Sequence, residues 1–144
     1  MLPPVLLAAF PDLAADGGIV THPPDRAYNC VAWAVGVTHT AWWPSNADAF
    51  WPPTVSDELT IDAMIAALET VGYFPCPDGQ SESGFEKVAV YAKGGVPTHM
   101  ARQLHSGSWS SKLGRDCTVS HQSPEGVAGA VYGSVVAYLC RSIP

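Results

Sequence analysis

Cys30 is the first residue along the chain whose type and position suit nucleophilic catalysis. It follows Asn29, a residue that favours the N-cap position, and precedes an apolar run, so we predict a helix that begins at or near the cysteine. A helix N-terminus stabilises a thiolate through its free N–H groups and its dipole. Cys30 is therefore a candidate nucleophile, although inert packing is the commoner role of a buried cysteine.

His99 and His121 are the candidate partners of this thiol. Histidine is the usual base for a cysteine nucleophile because its ordinary pKa lies near neutrality. His99 lies in a predicted strand, where it faces opposite to the bulkier apolar side chains. His121, on a later predicted strand, is the candidate residue that orients the base, and Gln122, Asp116 and Ser111 stay open as alternatives.

Residues near the thiol and on the later strands are candidates for supporting roles. Tyr28 and Asn29 flank Cys30 and are candidate donors to an oxyanion, together with the backbone N–H of the cysteine. Asn29 also has the simpler interpretation of a helix cap. Three further side chains are predicted to contact the substrate: Trp33, Trp109 and Ser111.

The elements that position these residues change in character along the chain. Residues 1–28 hold five prolines and are predicted to form an N-terminal arm with a short helical turn near Pro11 to Ala15. Residues 29–72 form a helical half, in which the capping-box spacing of Thr54 and Asp57 precedes an amphipathic helix that ends at Gly72. After a turn-rich linker, residues 85–142 alternate as an antiparallel sheet does.

This order predicts one α+β domain over residues 1–144. In it, N-terminal helices, one of which carries the cysteine, pack on a C-terminal antiparallel β-sheet. The predicted strands are 87–92, 98–104, 109–113, 117–121 and 131–141.

The order of a cysteine helix, a histidine strand and a later polar strand resembles the papain-like cysteine peptidase and amidase superfamily, and within it the NlpC/P60 and CHAP branch. The resemblance spans about residues 28–122 and is carried by Tyr28-Asn29-Cys30-Val31-Ala32-Trp33-Ala34, by Lys87 to Ala92 leading into Thr98-His99-Met100-Ala101, and by Val119-Ser120-His121. Asn29-Cys30-Val31 replaces the Asp-Cys-Ser run that is usual in the family.

The resemblance implies a papain-like, NlpC/P60-like fold and a catalytic triad of Cys30, His99 and His121. It implies a thiol-dependent hydrolase or transferase that acts on an amide or related acyl bond through an acyl-enzyme, such as a peptidase, amidase or deamidase. The expected substrate is a peptide, a protein or a peptidoglycan-like amide, and the chemistry requires no cofactor and no metal. A bacterial effector or toxin role is compatible with so small a domain.

Two other classes of function stay open. A non-catalytic binding module would use the aromatic side chains of a Trp- and Pro-rich loop: Trp42, Trp43 and Trp51. A zinc site would use side chains of the right types, although their spacing matches no compact signature: His99, His105, Cys117 and His121.

Composition bears on nucleic-acid binding, on the need for disulfides and on membrane segments. The net charge is −6 and the seven Lys and Arg residues are scattered, which disfavours nucleic-acid binding. Hydrophobic residues make up 47% of the chain, enough for a core without the two disulfides that four cysteines allow. The apolar stretch Met1 to Phe10 lacks the marks of a signal peptide, and we expect no membrane span, so the cytoplasm and non-classical export both stay open.

Overall fold

Seven antiparallel strands form the sheet at the centre of the structure, a computed structural model that describes residues 2–144. Met1, the first residue of the predicted arm, lies outside the described residues. In chain order the strands are β1 (Ile19–His22), β2 (Phe74–Cys76), β3 (Phe85–Lys93), β4 (Val96–Gln103), β5 (Trp109–Lys112), β6 (Thr118–His121) and β7 (Ser134–Ser142). Their order across the sheet is β1-β6-β5-β4-β3-β7-β2.

Short helices cover both faces of this sheet. They are α1 (Pro4–Ala9), α2 (Cys30–Val35), α3 (Ile61–Glu69) and a 3₁₀ helix (Pro124–Val127). Helices α2 and α3 belong to a core with Val88 and Val90 of β3, whereas α1 belongs to a second core with Ala89 and Tyr91 of the same strand. Because successive side chains of a strand point to opposite faces, the two cores lie on opposite sides of the sheet.

The predicted α+β, papain-like or NlpC/P60-like arrangement is therefore wrong. The fold is mainly β, since the three α-helices have only six, six and nine residues and α1 lies across the sheet from the other two. The prediction failed because both edge strands come from segments whose sequences show no recognisable strand alternation. Strand β1 lies in the predicted arm and β2 lies in the predicted linker.

Helix α2 begins where the sequence predicts. The Asn29 side chain accepts a hydrogen bond from the Ala32 N–H and so caps the helix that starts at Cys30. The helix is buried on nearly every side, against β4 and β5, and it ends at Gly36, whose φ of 86° is a left-handed conformation that glycine adopts without strain. The N-cap prediction is confirmed.

The N-cap of helix α3 is Thr60, six residues after the predicted Thr54. Asp57, which was expected in its first turn, instead binds Ser45 through both its carboxylate and its backbone carbonyl. That contact holds Asp57 in the Trp- and Pro-rich loop. The predicted helical turn near Pro11 is present, since residues 11–17 form hydrogen-bonded turns in which the Asp16 N–H donates to the Asp12 carbonyl, and α1 precedes it at Pro4–Ala9.

The five predicted strands are present with ends that differ by at most three residues. Their alternation also holds, since Met100 lies in the core with α2, whereas Ala101 lies in the opposite one. Among residues 2–144, the helices are all too short or too polar for a bilayer crossing.

Candidate active site

Cys30 lies at the first position of α2 and is 5% exposed. Its sulfur is close to three backbone N–H groups, those of Cys30 itself, Val31 and Met100. These donors lower the pKa of the thiol, but burial is the larger effect and raises it to about 11. Cys30 is therefore a protonated thiol at neutral pH.

An opening in the sheet explains how a helix residue reaches the Met100 amide. Strand β4 pairs with β5 only at Arg102 and Gln103. The rest of β4 is unpaired on that side, and α2 packs over β4 and β5 at this place. The N-terminus of α2 thus brings Cys30 to the strand residue that follows His99.

His99, Ser111 and His121 form a buried chain of hydrogen bonds that crosses three strands. Nε2 of His99 lies 2.9 Å from Oγ of Ser111, and the same oxygen lies 2.8 Å from Nε2 of His121. All three side chains are at most 2% exposed. Ser111 is therefore the direct hydrogen-bond partner of His99, and His121 contacts Ser111 and not His99.

The donor and the acceptor in each of these hydrogen bonds can be assigned by starting from His121. Nδ1 of His121 lies 2.7 Å from the backbone carbonyl of Ser123, which only accepts, so we assign the ring proton to Nδ1. Nε2 of His121 then accepts from the Ser111 hydroxyl, and that oxygen accepts from Nε2–H of His99. The remaining nitrogen, Nδ1 of His99, carries a lone pair.

Both imidazoles are neutral at pH 7. Burial lowers the pKa of His99 well below its usual value, and the nearby His121 lowers it further. Burial also lowers the pKa of His121, which the Ser123 carbonyl and the Asp16 carboxylate partly oppose. Neutral rings are what the assigned hydrogen-bond directions require.

Nδ1 of His99 is buried and has no hydrogen-bond partner within residues 2–144. Within the described residues, Cys30 and His99 share no hydrogen bond. Cys30 of α2 belongs to the core on one face of the sheet, whereas the His99 side chain points from β4 to the other face. A buried polar atom without a partner is costly and uncommon. Nδ1 of His99 is therefore a buried acceptor that has no donor within residues 2–144.

Asp16 fixes the far end of the chain and is a residue that the sequence did not single out. Its carboxylate accepts from the backbone N–H and the hydroxyl of Ser123, at 2.9 and 2.8 Å, and lies 4.0 Å from Nδ1 of His121. A Cβ on Gly126 would approach the Asp16 carboxylate to 2.4 Å, so a larger residue there would displace this carboxylate. The predicted arm therefore contributes to the site.

Tyr132 is a second residue that no sequence motif indicated. Its ring stacks on that of His99 with centroids 4.0 Å apart and an angle of 3° between the planes. The Tyr132 side chain is half-buried, whereas the imidazole on which it stacks is buried.

The predicted oxyanion residues have other contacts in the structure. The Asn29 amide binds the Ala32 N–H and both backbone groups of Trp42, which ties the Trp- and Pro-rich loop to the start of α2. Tyr28 is buried beneath the ammonium of Lys112, which lies 4.9 Å from the ring centroid. The amides around the Cys30 sulfur are therefore the better placed donors.

The predicted substrate-contacting tryptophans lie apart from His99. Trp33 is half-buried on α2, where its Nε1–H donates to the Ser110 hydroxyl and Arg102 lies over its ring. Trp109 is buried in the core on the other face and packs near Tyr138. Ser111, the third predicted contact, is fully buried within the histidine chain.

The residues of the zinc alternative do not come together. His99 and His121 are bridged by a serine, His105 is exposed in a turn, and Cys117 is buried beyond β5. In the described part of the chain, no group of three or more His, Cys, Asp or Glu side chains is arranged to hold a metal ion. The four cysteines are all free thiols.

The Trp- and Pro-rich loop forms a groove of about 480 Å³. Trp43, Trp51 and Asp57 are among the residues that line it, whereas Trp42 is buried beside Phe50. Two of the three tryptophans of the binding-module alternative therefore face an open surface.

Comparison with known families gives one result, a match over residues 19–140 to a domain family of unknown function, DUF7689. The chain belongs to this family. The matched segment includes Cys30, the three members of the histidine chain and Tyr132. Comparison with curated proteins and with solved structures gives no match.

Proposed function

We propose that this member of the DUF7689 family is a thiol-dependent hydrolase or transferase that acts on an amide or related acyl bond. The observation that carries the proposal is the directed chain His121–Ser111–His99, which leaves Nδ1 of His99 as a buried lone pair without a partner. Such an atom is suited to accept a proton. The nucleophile in this proposal is Cys30, whose sulfur lies near the backbone N–H of Met100, the residue that follows His99.

In the proposed reaction, Cys30 is the nucleophile and His99 the general base. The thiol proton passes to Nδ1 of His99 while the sulfur attacks the substrate carbonyl carbon. The oxyanion accepts hydrogen bonds from backbone N–H groups at the start of α2. His99 then gives the proton to the leaving amine, and a thioester remains on Cys30. Water, or an acceptor amine in a transferase, attacks the thioester with His99 again as base, and the proton returns to the sulfur.

The protonation states favour general-base catalysis over a resting thiolate–imidazolium pair. The pKa of Cys30 is raised to about 11 and that of His99 is lowered, both by burial. Proton transfer is therefore expected to accompany attack. Catalytic hydrogen bonds are often loose before substrate binds, and the Cys30–His99 contact is expected to form in the complex.

The proposed substrates are peptide, protein or peptidoglycan-like amides. The chemistry needs no cofactor, and the acidic chain is not proposed to bind nucleic acid. Ser111 and His121 act in this scheme as the residues that fix the tautomer of His99, since their hydrogen bonds make Nε2 the protonated nitrogen.

Alkylation of the native protein with iodoacetamide tests the proposal without a known substrate. Mass spectrometry after proteolysis gives a rate for each cysteine. Cys117 is the matched control because it is equally buried and also has a raised pKa, but has no histidine chain beside it. We expect Cys30 to react at least about tenfold faster than Cys117, and His99→Gln to remove most of that difference.

The proposal fails if Cys30 and Cys117 are alkylated at equal rates in the native protein. It also fails if His99→Gln leaves the Cys30 rate unchanged while circular dichroism shows an intact fold. Cys30→Ala identifies any labelling that belongs to other thiols.

A second candidate function is binding without catalysis, and the open groove beside Trp43 and Trp51 is the observation that favours it. Peptide and glycan arrays distinguish the two functions. Retained binding by a Cys30→Ala variant, lost in Trp43→Ala, together with an unreactive Cys30, would support the binding module.

A further inference from the structure

The contact between Tyr132 and His99 is the closest ring stack in the structure. Edge-to-face and offset arrangements are common between aromatic rings, and most others here are tilted or T-shaped. A flat contact at 4.0 Å restricts the imidazole, because rotation about its χ2 would drive the ring edge into the phenol. Phe10 packs against the same tyrosine, with centroids 5.3 Å apart.

The backbone around Tyr132 is built to hold this contact. Gly133 has a φ of 74°, and a Cβ there would lie 2.0 Å from the carbonyl oxygen of Ala92, so only glycine fits. Gly129 and Gly133 exchange two backbone hydrogen bonds, and the Thr98 hydroxyl donates to the Tyr132 carbonyl. The loop is therefore closed on itself and fastened to β4.

The strand beneath the loop is irregular at the same place. The register of β3 shifts between Tyr91 and Ala92 on the β4 side and between Val90 and Tyr91 on the β7 side, and Tyr91 is the residue paired with His99. Bulges re-aim side chains and are frequent next to active sites. Two shifts and one obligatory glycine thus combine to place Tyr132 over the imidazole.

Burial raises the pKa of the Tyr132 phenol, and a thiolate at Cys30 would raise it further. Among the residues packed at His99, Tyr132 is the one that is half-exposed, whereas Tyr91 and Ser111 are fully buried. Tyr132 is therefore the member of this group that solvent reaches.

We propose that Tyr132 is a positioning residue of this site, whose ring holds the His99 imidazole in the single plane in which Nε2 binds Ser111 and Nδ1 stays open. This inference rests on the proposed function for its catalytic consequence. Its structural part, the control of the imidazole plane and tautomer, stands on the stacking geometry. The phenol hydroxyl is not required for that role.

The test compares Tyr132→Phe, which keeps the ring, with Tyr132→Leu, which removes it. Tyr138→Leu is the control, since Tyr138 is a half-buried ring of the same core that packs on Trp109 and not on His99. Heteronuclear NMR of the histidine ring nitrogens reports the tautomer of His99, and iodoacetamide reports the reactivity of Cys30. If Tyr132→Leu does not fold, Tyr132→Met fills similar space without a planar face.

We expect wild type, Tyr132→Phe and Tyr138→Leu to show one His99 tautomer, protonated at Nε2. Tyr132→Leu is expected to show mixed tautomers and a Cys30 alkylation rate lower by about tenfold or more. The inference is overturned if Tyr132→Leu keeps the wild-type ring-nitrogen signals. It is also overturned if Tyr132→Phe lowers the Cys30 alkylation rate as much as Tyr132→Leu does. A Cys30 that is unreactive in wild type refutes the proposed function alone, because the ring-nitrogen signals still report on Tyr132.

Discussion

Two groups of buried polar side chains lie on neighbouring positions of the sheet and differ in how completely they are satisfied. Lys112 of β5 donates to the carbonyls of Asp25 and Gly114, both at 2.7 Å, and its charge lies over the Tyr28 ring. The adjacent residue, Ser111, belongs to the histidine chain on the opposite face. That chain ends on Nδ1 of His99, which has no partner within residues 2–144.

The difference separates a structural polar group from a candidate functional one. A fully bonded ammonium fastens the segment before α2 to the sheet and leaves nothing for a ligand. Lys87 is a second case of this kind, with its ammonium bound by Asp78 and Glu82. A hydrogen-bonded chain that ends on one open lone pair instead leaves an acceptor available to a ligand, at the expense of stability.

Lys112→Met is expected to give the largest loss of stability. It removes two hydrogen bonds made by a charged group, each of which contributes about 1.5–3 kcal/mol, so the free energy of unfolding should fall by about 3–6 kcal/mol. Urea denaturation measures the loss. Arg115→Met, at an exposed position on the adjoining turn, is the control and should change little. Equal stability of the two variants would contradict the structural role of Lys112.

Ser111→Ala should cost less stability but change the site more. Two hydrogen bonds are lost at roughly 1 kcal/mol each, so we expect a loss of about 2 kcal/mol. The tautomer of His99 should no longer be fixed, which the ring-nitrogen NMR signals would show. Ser110→Ala, which removes the acceptor of Trp33 Nε1–H on the opposite face, is the control and should leave those signals unchanged. A single His99 tautomer in Ser111→Ala would show that Ser111 does not fix the position of the His99 ring proton.

Mild acid should have the smallest effect, and its sign follows from the two lowered histidine pKa values. Both rings stay neutral in the folded protein, whereas the unfolded chain binds protons below a pKa of about 6.5. Unfolding therefore takes up protons, and stability falls as the pH drops. Between pH 7 and pH 6 the loss should be no more than about 1.4 kcal/mol for the two rings together.

Thermal unfolding over this pH range checks the prediction. The exposed His105 offers the control, because His105→Gln should keep the pH dependence. His121→Gln should reduce it. Stability that rises on acidification would mean that the histidines are charged in the folded state, and the assigned hydrogen-bond directions would then be wrong.

Local patterns predicted much of the secondary structure but not the architecture. The Asn29 cap, the start of α2 and the five strands of the C-terminal half depend on interactions between near neighbours, and these are visible in the sequence. Strands β1 and β2 have four and three residues and become strands only through pairing with β6 and β7. Partners so distant in sequence leave no local periodicity, so the α+β prediction missed both edges of the sheet.

The candidate site was predicted in part for the same reason. Alternation along β4 correctly placed His99 opposite to Met100, and Ser111 was named among the alternatives for the orienting role. Its place between two histidines depends on the register of β5 with β6, in which Ser111 pairs with Val119. Asp16 and Tyr132 lie in irregular segments, where only the path of the folded chain decides what they contact.

The sequence by itself determined that Cys30 begins a buried helix and that His99 faces away from the bulky side of its strand. Both follow from local rules, since capping acts over three residues and strand alternation over two. The tertiary structure decided that the fold is mainly β, that Ser111 bridges the two histidines, and that Tyr132 lies flat on His99. These contacts join residues 10 to 33 positions apart, and only long-range packing fixes which of them meet.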